Sequence, residues 1–317
     1  AMQAAETPAA KKRKATGPEL IPMVDLDGPG TPAAVAVALR RSGFLLVRSS
    51  ALPAVIQQRA LKACQELLAE AAPGVEAHPS DPKRYRMMRR GDLRTEVGDA
   101  TDCRQASLLE YWSALETVKR QLLRAIAEGL QLEPDFFVGR HAEDNDTLRL
   151  LHYPPAPGSG NRCKEHSDYG TVTLLTTDGA PGLEIWDSEA EVWCPVPQAR
   201  VLDDLAVKES RGVLVVNAGS LLSSWTRGAV RATLHRVAGP SSARSGTPIE
   251  DLSLASSADR YSLAFFVDPD PGLELREVAG DGPLAPPCSS VADYVRWRCG
   301  AAGEGVSFAP GEEERTR

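Results

Sequence analysis

Apolar positions recur at two different periods in this chain. Up to about residue 147 they fall three and four apart; beyond it they cluster in short runs broken by Gly and Pro. Residues 21–26 (IPMVDL) read as a short strand. Thr31 followed by Pro32 predicts a helix start with Thr31 as its N-cap, and Gly43 predicts its end. Residues 44–47 (FLLV) read as a buried strand and 53–71 as an amphipathic helix. A longer helix is predicted over 106–130, where Leu109, Trp112, Leu115, Val118, Leu122 and Ile126 form one apolar stripe that serves core packing.

The second half reads as a series of short strands: TLRLLHY (147–153), TVTLLTT (171–177), LEIWD (183–187), GVLVVN (212–217), RATLHRV (231–237) and RYSLAFFV (260–267). Many short strands with turn signals indicate a sandwich, a barrel or a jelly roll. The helical half has no evident core of its own, so the expected organisation is one domain over 19–305. It is flanked by a disordered tail over 1–18 and a charged tail over 306–317.

Composition narrows the class. Hydrophobic residues are 42% and charged residues 25% of the 317, as in an ordinary globular protein. No apolar run reaches the roughly 18 to 20 residues that cross a bilayer, and no apolar leader segment is visible. The 6 cysteines form no CxxC pair, which fits reduced thiols in an intracellular, cytoplasmic protein. Lys11-Lys12-Arg13-Lys14 reads either as a solvated basic tail or as a short nuclear-import signal. The net charge of -7 argues against a nucleic-acid partner. Oligomeric state has no signal in the sequence.

The candidate chemistry lies in the strand-rich half. His166-Ser-Asp168 offers an imidazole and a carboxylate two residues apart, which in an extended segment face the same way. His235 follows on a later strand, and only 5 histidines exist in the chain. Two His and one carboxylate, with the remaining positions open, suit a non-haem Fe(II) centre that activates O2. A His-x-Asp triplet also occurs by chance as a solvated turn; its strand context favours the metal reading. Further on, Arg260 and Ser262 share a strand face. A guanidinium fork beside a hydroxyl fits a carboxylate, and a surface ion pair is the plainer alternative. The apolar residues 263–267 mark the strand as buried, where an unpaired Arg would be costly.

These blocks resemble a known family. ALRRSGFLLVRSSAL, LRLLHYPPAP, HSDYGTVTLL, GLEIWDSEAEVWCPV, GVLVVNAGSLLSSWTRGAVRATLHRV and RYSLAFFVDPDP match in order, over most of residues 20–300, the isopenicillin-N-synthase-like Fe(II)/2-oxoglutarate-dependent dioxygenases. The resemblance implies a mainly β fold with an α layer: a double-stranded β-helix (jelly roll) core behind N-terminal helices. It implies Fe(II) at His166, Asp168 and His235, and 2-oxoglutarate at Arg260, Ser262 and Tyr153. It also implies O2 as co-reactant, with ascorbate as a candidate reductant. The expected reaction is hydroxylation, desaturation or cyclisation of a small, carboxylate-bearing metabolite, with release of succinate and CO2. Rival expectations are an Fe(II) oxidase that does not use 2-oxoglutarate, a nucleic-acid- or protein-modifying oxygenase, and a non-catalytic interaction protein.

Two departures from the family stand out. Leu151 occupies a position where many relatives carry Asn, with His152 beside it; one of the two is expected to pack and the other could line the pocket. The link over 241–258 is longer than expected and reads as a surface loop. For the substrate, Arg84, Arg86, Arg89, Arg90 and Arg94 cluster in a segment read as a basic loop. One or two of them are candidates to hold a substrate carboxylate, against the alternative of a solvated basic loop.

Overall fold

The computed structural model describes residues 20–69, 75–78, 81–95, 103–155, 160–197, 210–239, 258–275, 288 and 290–303. The two expected tails, Lys11–Lys14 and residues 241–257 of the long link lie outside the described residues.

In chain order the elements are β1 (Met23–Asp25), α1 (Thr31–Arg41), β2 (Phe44–Pro53), α2 (Ala54–Ala69), β3 (Glu76–Ala77), β4 (Arg84–Met88), α3 (Arg90–Thr95) and α4 (Cys103–Gly129). There follow β5 (Thr147–Tyr153), β6 (Cys163–His166), β7 (Val172–Thr177), β8 (Leu183–Asp187), β9 (Val192–Pro195) and β10 (Arg211–Ala218). The series closes with α5 (Ser220–Trp225), β11 (His235–Val237), β12 (Arg260–Val267) and α6 (Val291–Gly303).

The strands form an eight-stranded sheet, ordered β1-β2-β10-β7-β12-β5-β4-β3, and a four-stranded sheet, β6-β11-β8-β9. Pairing is antiparallel except between β1 and β2. Two stacked sheets with crossovers between them make the expected jelly roll, and the helices supply the expected α layer.

Side-chain alternation decides which residues reach the space between the sheets. On β12, Leu263, Phe265 and Val267 join Leu148 and Leu150 of β5 and Leu214 and Val216 of β10 in the core under α1, α2 and α4. The helices meet that face with Val35, Leu39, Cys64, Leu68, Trp112, Leu115, Val118 and Leu122. The opposite parity faces the smaller sheet, where Phe44, Leu46, Val213 and Val215 pack on Leu183, Ile185 and Val196. Arg260, Ser262 and Ala264 share this inner parity, as do Arg149, Leu151 and Tyr153 on the paired β5.

Two expectations are corrected, and one element appears that the sequence reading does not name. Thr31 is the first helical residue rather than the cap: Gly30, in the left-handed region at φ 75, precedes it, and the Thr31 hydroxyl donates to the Asp25 and Gly28 carbonyls. Residues 84–88, read as a basic loop, form strand β4, because the edge of β5 supplies hydrogen-bonding partners that RYRMM does not advertise. A final helix, α6, packs Val291 and Tyr294 against Leu221 and Leu275.

Candidate metal centre and pocket

β6 and β11 pair so that His166 stands directly opposite His235. The register shifts between this pair and Val237↔Cys163, a bulge that places one extra residue on β6. Cys163 and His166, three residues apart, can thus both line the space between the sheets, with His235 and Val237. Strand β6 ends at His166, so Asp168 stands two residues past it, in the segment that leads to β7. That segment is held by α5: Ser220 and Leu221 donate their backbone N–H to the Asp168 and Tyr169 carbonyls at 2.8 and 2.9 Å, and Gly219 N–H donates to Thr171 at 3.0 Å.

The result is a cluster in which one ligand atom from each of His166, Asp168 and His235 lies within 4.8 Å of the others. Asp168 Oδ1 stands 3.8 Å from His166 Nε2 and 3.7 Å from His235 Nε2. The far atoms are already occupied. His166 Nδ1–H donates to the Lys164 carbonyl at 2.8 Å and His235 Nδ1–H to the Thr233 carbonyl at 3.2 Å, which turns each Nε2 toward Asp168. Asp168 Oδ2 accepts from Thr173 Oγ1 at 2.6 Å and from Asn217 Nδ2 at 2.7 Å.

Electrostatics set the three groups apart. Burial, then the neighbouring His166 ring, pushes the His235 imidazole down to about 4, so it is neutral at physiological pH. Burial works to raise the Asp168 carboxyl, but the two imidazoles and the Thr173 and Asn217 hydrogen bonds outweigh it and hold it below the usual carboxylate range. Burial works to lower the His166 imidazole, but Cys163 and Asp168 beside it push it up to about 9, so at neutral pH it carries a proton that a bound metal would displace. Two imidazoles and one carboxylate oxygen thus converge as the donor set of a facial metal site.

The pocket runs from this cluster along β12 and β5, with a volume of about 590 Å³ counting its open mouth. Arg260, 1% exposed, and Ser262 stand on its wall. The Arg260 guanidinium lies 5.1 Å from the centre of the Tyr153 ring. Burial raises the Tyr153 hydroxyl above its ordinary value, so it stays protonated. Arg260 Nε has no hydrogen-bond partner among the described residues, and the Ser262 Oγ, beside the Tyr153 hydroxyl, makes no bond of normal geometry.

The remaining expected residues separate by parity. Leu151 lines the pocket. His152 points to the other face, stacked on Tyr261 at 4.5 Å, with Nε2 2.6 Å from Asp259 Oδ1. On β4, Arg84 and Arg86 share the parity of Met88, which is buried in the helix-side core, while Tyr85 packs on the pocket side. Arg90 is tied to Glu116 at 2.6 Å, and Arg89 is exposed with Nη1 3.4 Å from Asn145. None of these four lines the pocket; Arg94 lies on α3, and its side chain is outside the described part. Residues not singled out from the sequence do reach the site: Thr173 and Asn217 behind the carboxylate, and Lys83 and Arg149 on the pocket wall. Arg162, fully buried, donates to the carbonyls of Tyr153, Pro154 and Ala258 and so ties the end of β5 to the approach to β12.

Comparison with known proteins bears on both fold and site. The 2-oxoglutarate-dependent dioxygenase gloF of Glarea lozoyensis is 36% identical over 168 residues, 50% of this chain and 45% of that protein. Validamycin A dioxygenase of Streptomyces hygroscopicus subsp. limoneus is 28% identical, over 80% of this chain and 70% of that one. The chain spans about half the length of the first curated relatives it matches, 45% and 53%. Among solved structures, full-length Neurospora crassa T7H in complex with alpha-KG superposes with a TM-score of 0.69 at 20% identity, covering 89% of this chain and 96% of that one. Its likeness establishes the jelly-roll fold. A profile of the 2OG-Fe(II) oxygenase superfamily matches residues 144–269, which contain His166, Asp168, His235, Arg260 and Ser262. Residues 144–269 of this chain are thus similar to the 2OG-Fe(II) oxygenase superfamily.

Proposed function

We propose that this protein is an Fe(II)- and 2-oxoglutarate-dependent dioxygenase that oxidises a small metabolite, with His166, Asp168 and His235 holding the iron and Arg260, Ser262 and Tyr153 holding the cosubstrate. One observation carries the reading. One ligand atom from each of two histidines and an aspartate converges beside a buried guanidinium that has no carboxylate partner among the described residues.

The residues present fit both groups. The donor set is that of a divalent iron site, with Thr173, Asn217 and the Lys164 and Thr233 carbonyls fixing the orientation of each ligand. Arg260 presents a planar fork to a dicarboxylate's far end, and the Ser262 and Tyr153 hydroxyls add donors beside it. When bound, the iron and 2-oxoglutarate would supply oxidative decarboxylation to succinate and CO2 and an O2-derived oxidant for a substrate C–H bond. The chain's own part is placement. Arg260 and Tyr153 set the depth of the cosubstrate, and Leu151, Leu175, Val237, Ala264 and Phe266 exclude water from the reacting side.

The unpaired Arg260 favours this reading over an oxidase that dispenses with 2-oxoglutarate. Its test is Fe(II)-dependent conversion of 2-oxoglutarate to succinate under O2 without added substrate. Wild type should show it, and Asp168→Ala and Arg260→Ala should each reduce it by roughly 10- to 100-fold or more through loss of a charge-assisted contact. Turnover unchanged in both variants would refute the assignment.

A further inference from the structure

We infer that Arg149 is the anchor for a carboxylate carried by the substrate itself, a second anion site on the same pocket wall as Arg260. The inference rests on the iron and cosubstrate reading above and goes beyond it.

Arg149 lies on β5 with the inward parity of Leu151 and Tyr153, and pairs with Ala264 of β12. Tyr153 pairs with Arg260 four residues further along, so the two guanidinium-bearing positions are about 13 Å apart along the strands. A cosubstrate stretched between the metal and Arg260 therefore leaves Arg149 available to a second molecule. The Arg149 guanidinium carbon stands 5.4 Å from the centre of the Tyr85 ring and 5.2 Å from that of Phe266. These rings restrict the guanidinium from two sides and leave its in-plane N–H groups to a ligand. The polar contact it makes is weak, from Nη2 to Met87 Sδ at 3.9 Å. Its Nε is buried without a partner, and no described carboxylate pairs with it.

Charge in the pocket points the same way. The lining carries Lys83, Arg149 and Arg260 against a single acid, Asp168. Lys83 is answered by Asp81 at 3.0 Å. Arg260 is answered by the cosubstrate. Arg149 is the cation left over, and a neutral substrate would leave a half-buried guanidinium uncompensated. The arginines of 84–90 cannot serve instead, since none of the four lines the pocket.

The test uses zinc-loaded, turnover-silent protein saturated with 2-oxoglutarate. Binding of phenylacetate, phenylpropionate and hexanoate is followed by ligand-observed NMR and compared with that of their primary amides. The expected result is that acids bind while 2-oxoglutarate stays in place, and that amides bind roughly tenfold more weakly or worse. Arg149→Met, which keeps the apolar stem, should lose the acid preference and keep 2-oxoglutarate affinity; Arg149→Lys should recover part of it. Equal binding of acids and amides, no binding of any acid, displacement of 2-oxoglutarate by the acids, or an acid preference that survives Arg149→Met would overturn the inference alone. Failure of 2-oxoglutarate to bind the zinc-loaded wild type would instead overturn the iron and cosubstrate reading, and this one with it.

Discussion

Asn217, near the end of β10, donates its side-chain N–H to Asp168 Oδ2 at 2.7 Å, across 49 residues of sequence. With Thr173 on the same oxygen at 2.6 Å, it turns Oδ1 toward the two imidazoles and leaves Oδ2 unable to swing in. The carboxylate is thus oriented before any metal arrives.

Removing that support should weaken metal binding while the ligands stay. Asn217→Ala is expected to reduce Fe(II) or Mn(II) affinity by roughly 10- to 100-fold, the usual range for a group that orients a ligand. Calorimetric titration of the metal into the variant checks this. Affinity equal to wild type would mean that the carboxylate needs no such support.

Gly219 couples the fold to the segment that carries Asp168. A Cβ there would sit 2.0 Å from the Gly170 carbonyl oxygen and 2.7 Å from its carbon, backbone that cannot step aside cheaply. Gly219→Ala should cost about 1–3 kcal/mol of stability, as overpacking does. Because Gly170 lies two residues after Asp168, metal affinity should fall too. Denaturant unfolding and metal titration on one preparation test both.

His141 supports that segment from below and gives stability a pH dependence. It is 5% exposed, its Nδ1–H donates to the Phe137 carbonyl at 2.6 Å, and its Nε2 accepts from the Thr171 hydroxyl at 2.8 Å. Burial pushes it down to about 4. An unfolded chain takes up this proton near its ordinary value of about 6.5, so the stabilisation is complete above that pH and is lost as pH falls toward 4. The full difference is on the order of 3 kcal/mol. Comparing wild type with His141→Gln at pH 7 and pH 5 isolates it: the stability gap between the two proteins should shrink at the lower pH, and a constant gap would contradict the assignment.

Much of this was legible in the sequence, for identifiable reasons. The strand period placed β5, β7, β8, β10 and β12, since each buries an apolar face on the helices or between the sheets. The parity of Arg260 and Ser262 was readable because a two-residue spacing survives any strand register. The convergence of His166 with Asp168 follows from their two-residue spacing, whereas the bulge that sets Cys163 and His166 on one wall has no sequence signal. Strand β4 was missed because its pairing comes from β5 and not from its own alternation. That miss hid the parity which turns Arg84 and Arg86 away from the pocket. Thr173, Asn217 and Arg149 carry a signal of their own: each is a polar residue with an apolar neighbour on both sides in a strand, where burial demands a partner. The resemblance alone supplied Tyr153.

The central claim is that one pocket binds iron and 2-oxoglutarate together. Anaerobic titration of the metal-free protein with Fe(II) and then 2-oxoglutarate tests it most directly. The account predicts a broad visible absorption band that needs both additions, is abolished in Asp168→Ala, and requires far more 2-oxoglutarate in Arg260→Ala. No band in wild type at saturating concentrations of both, or an unchanged band in Asp168→Ala, would contradict it.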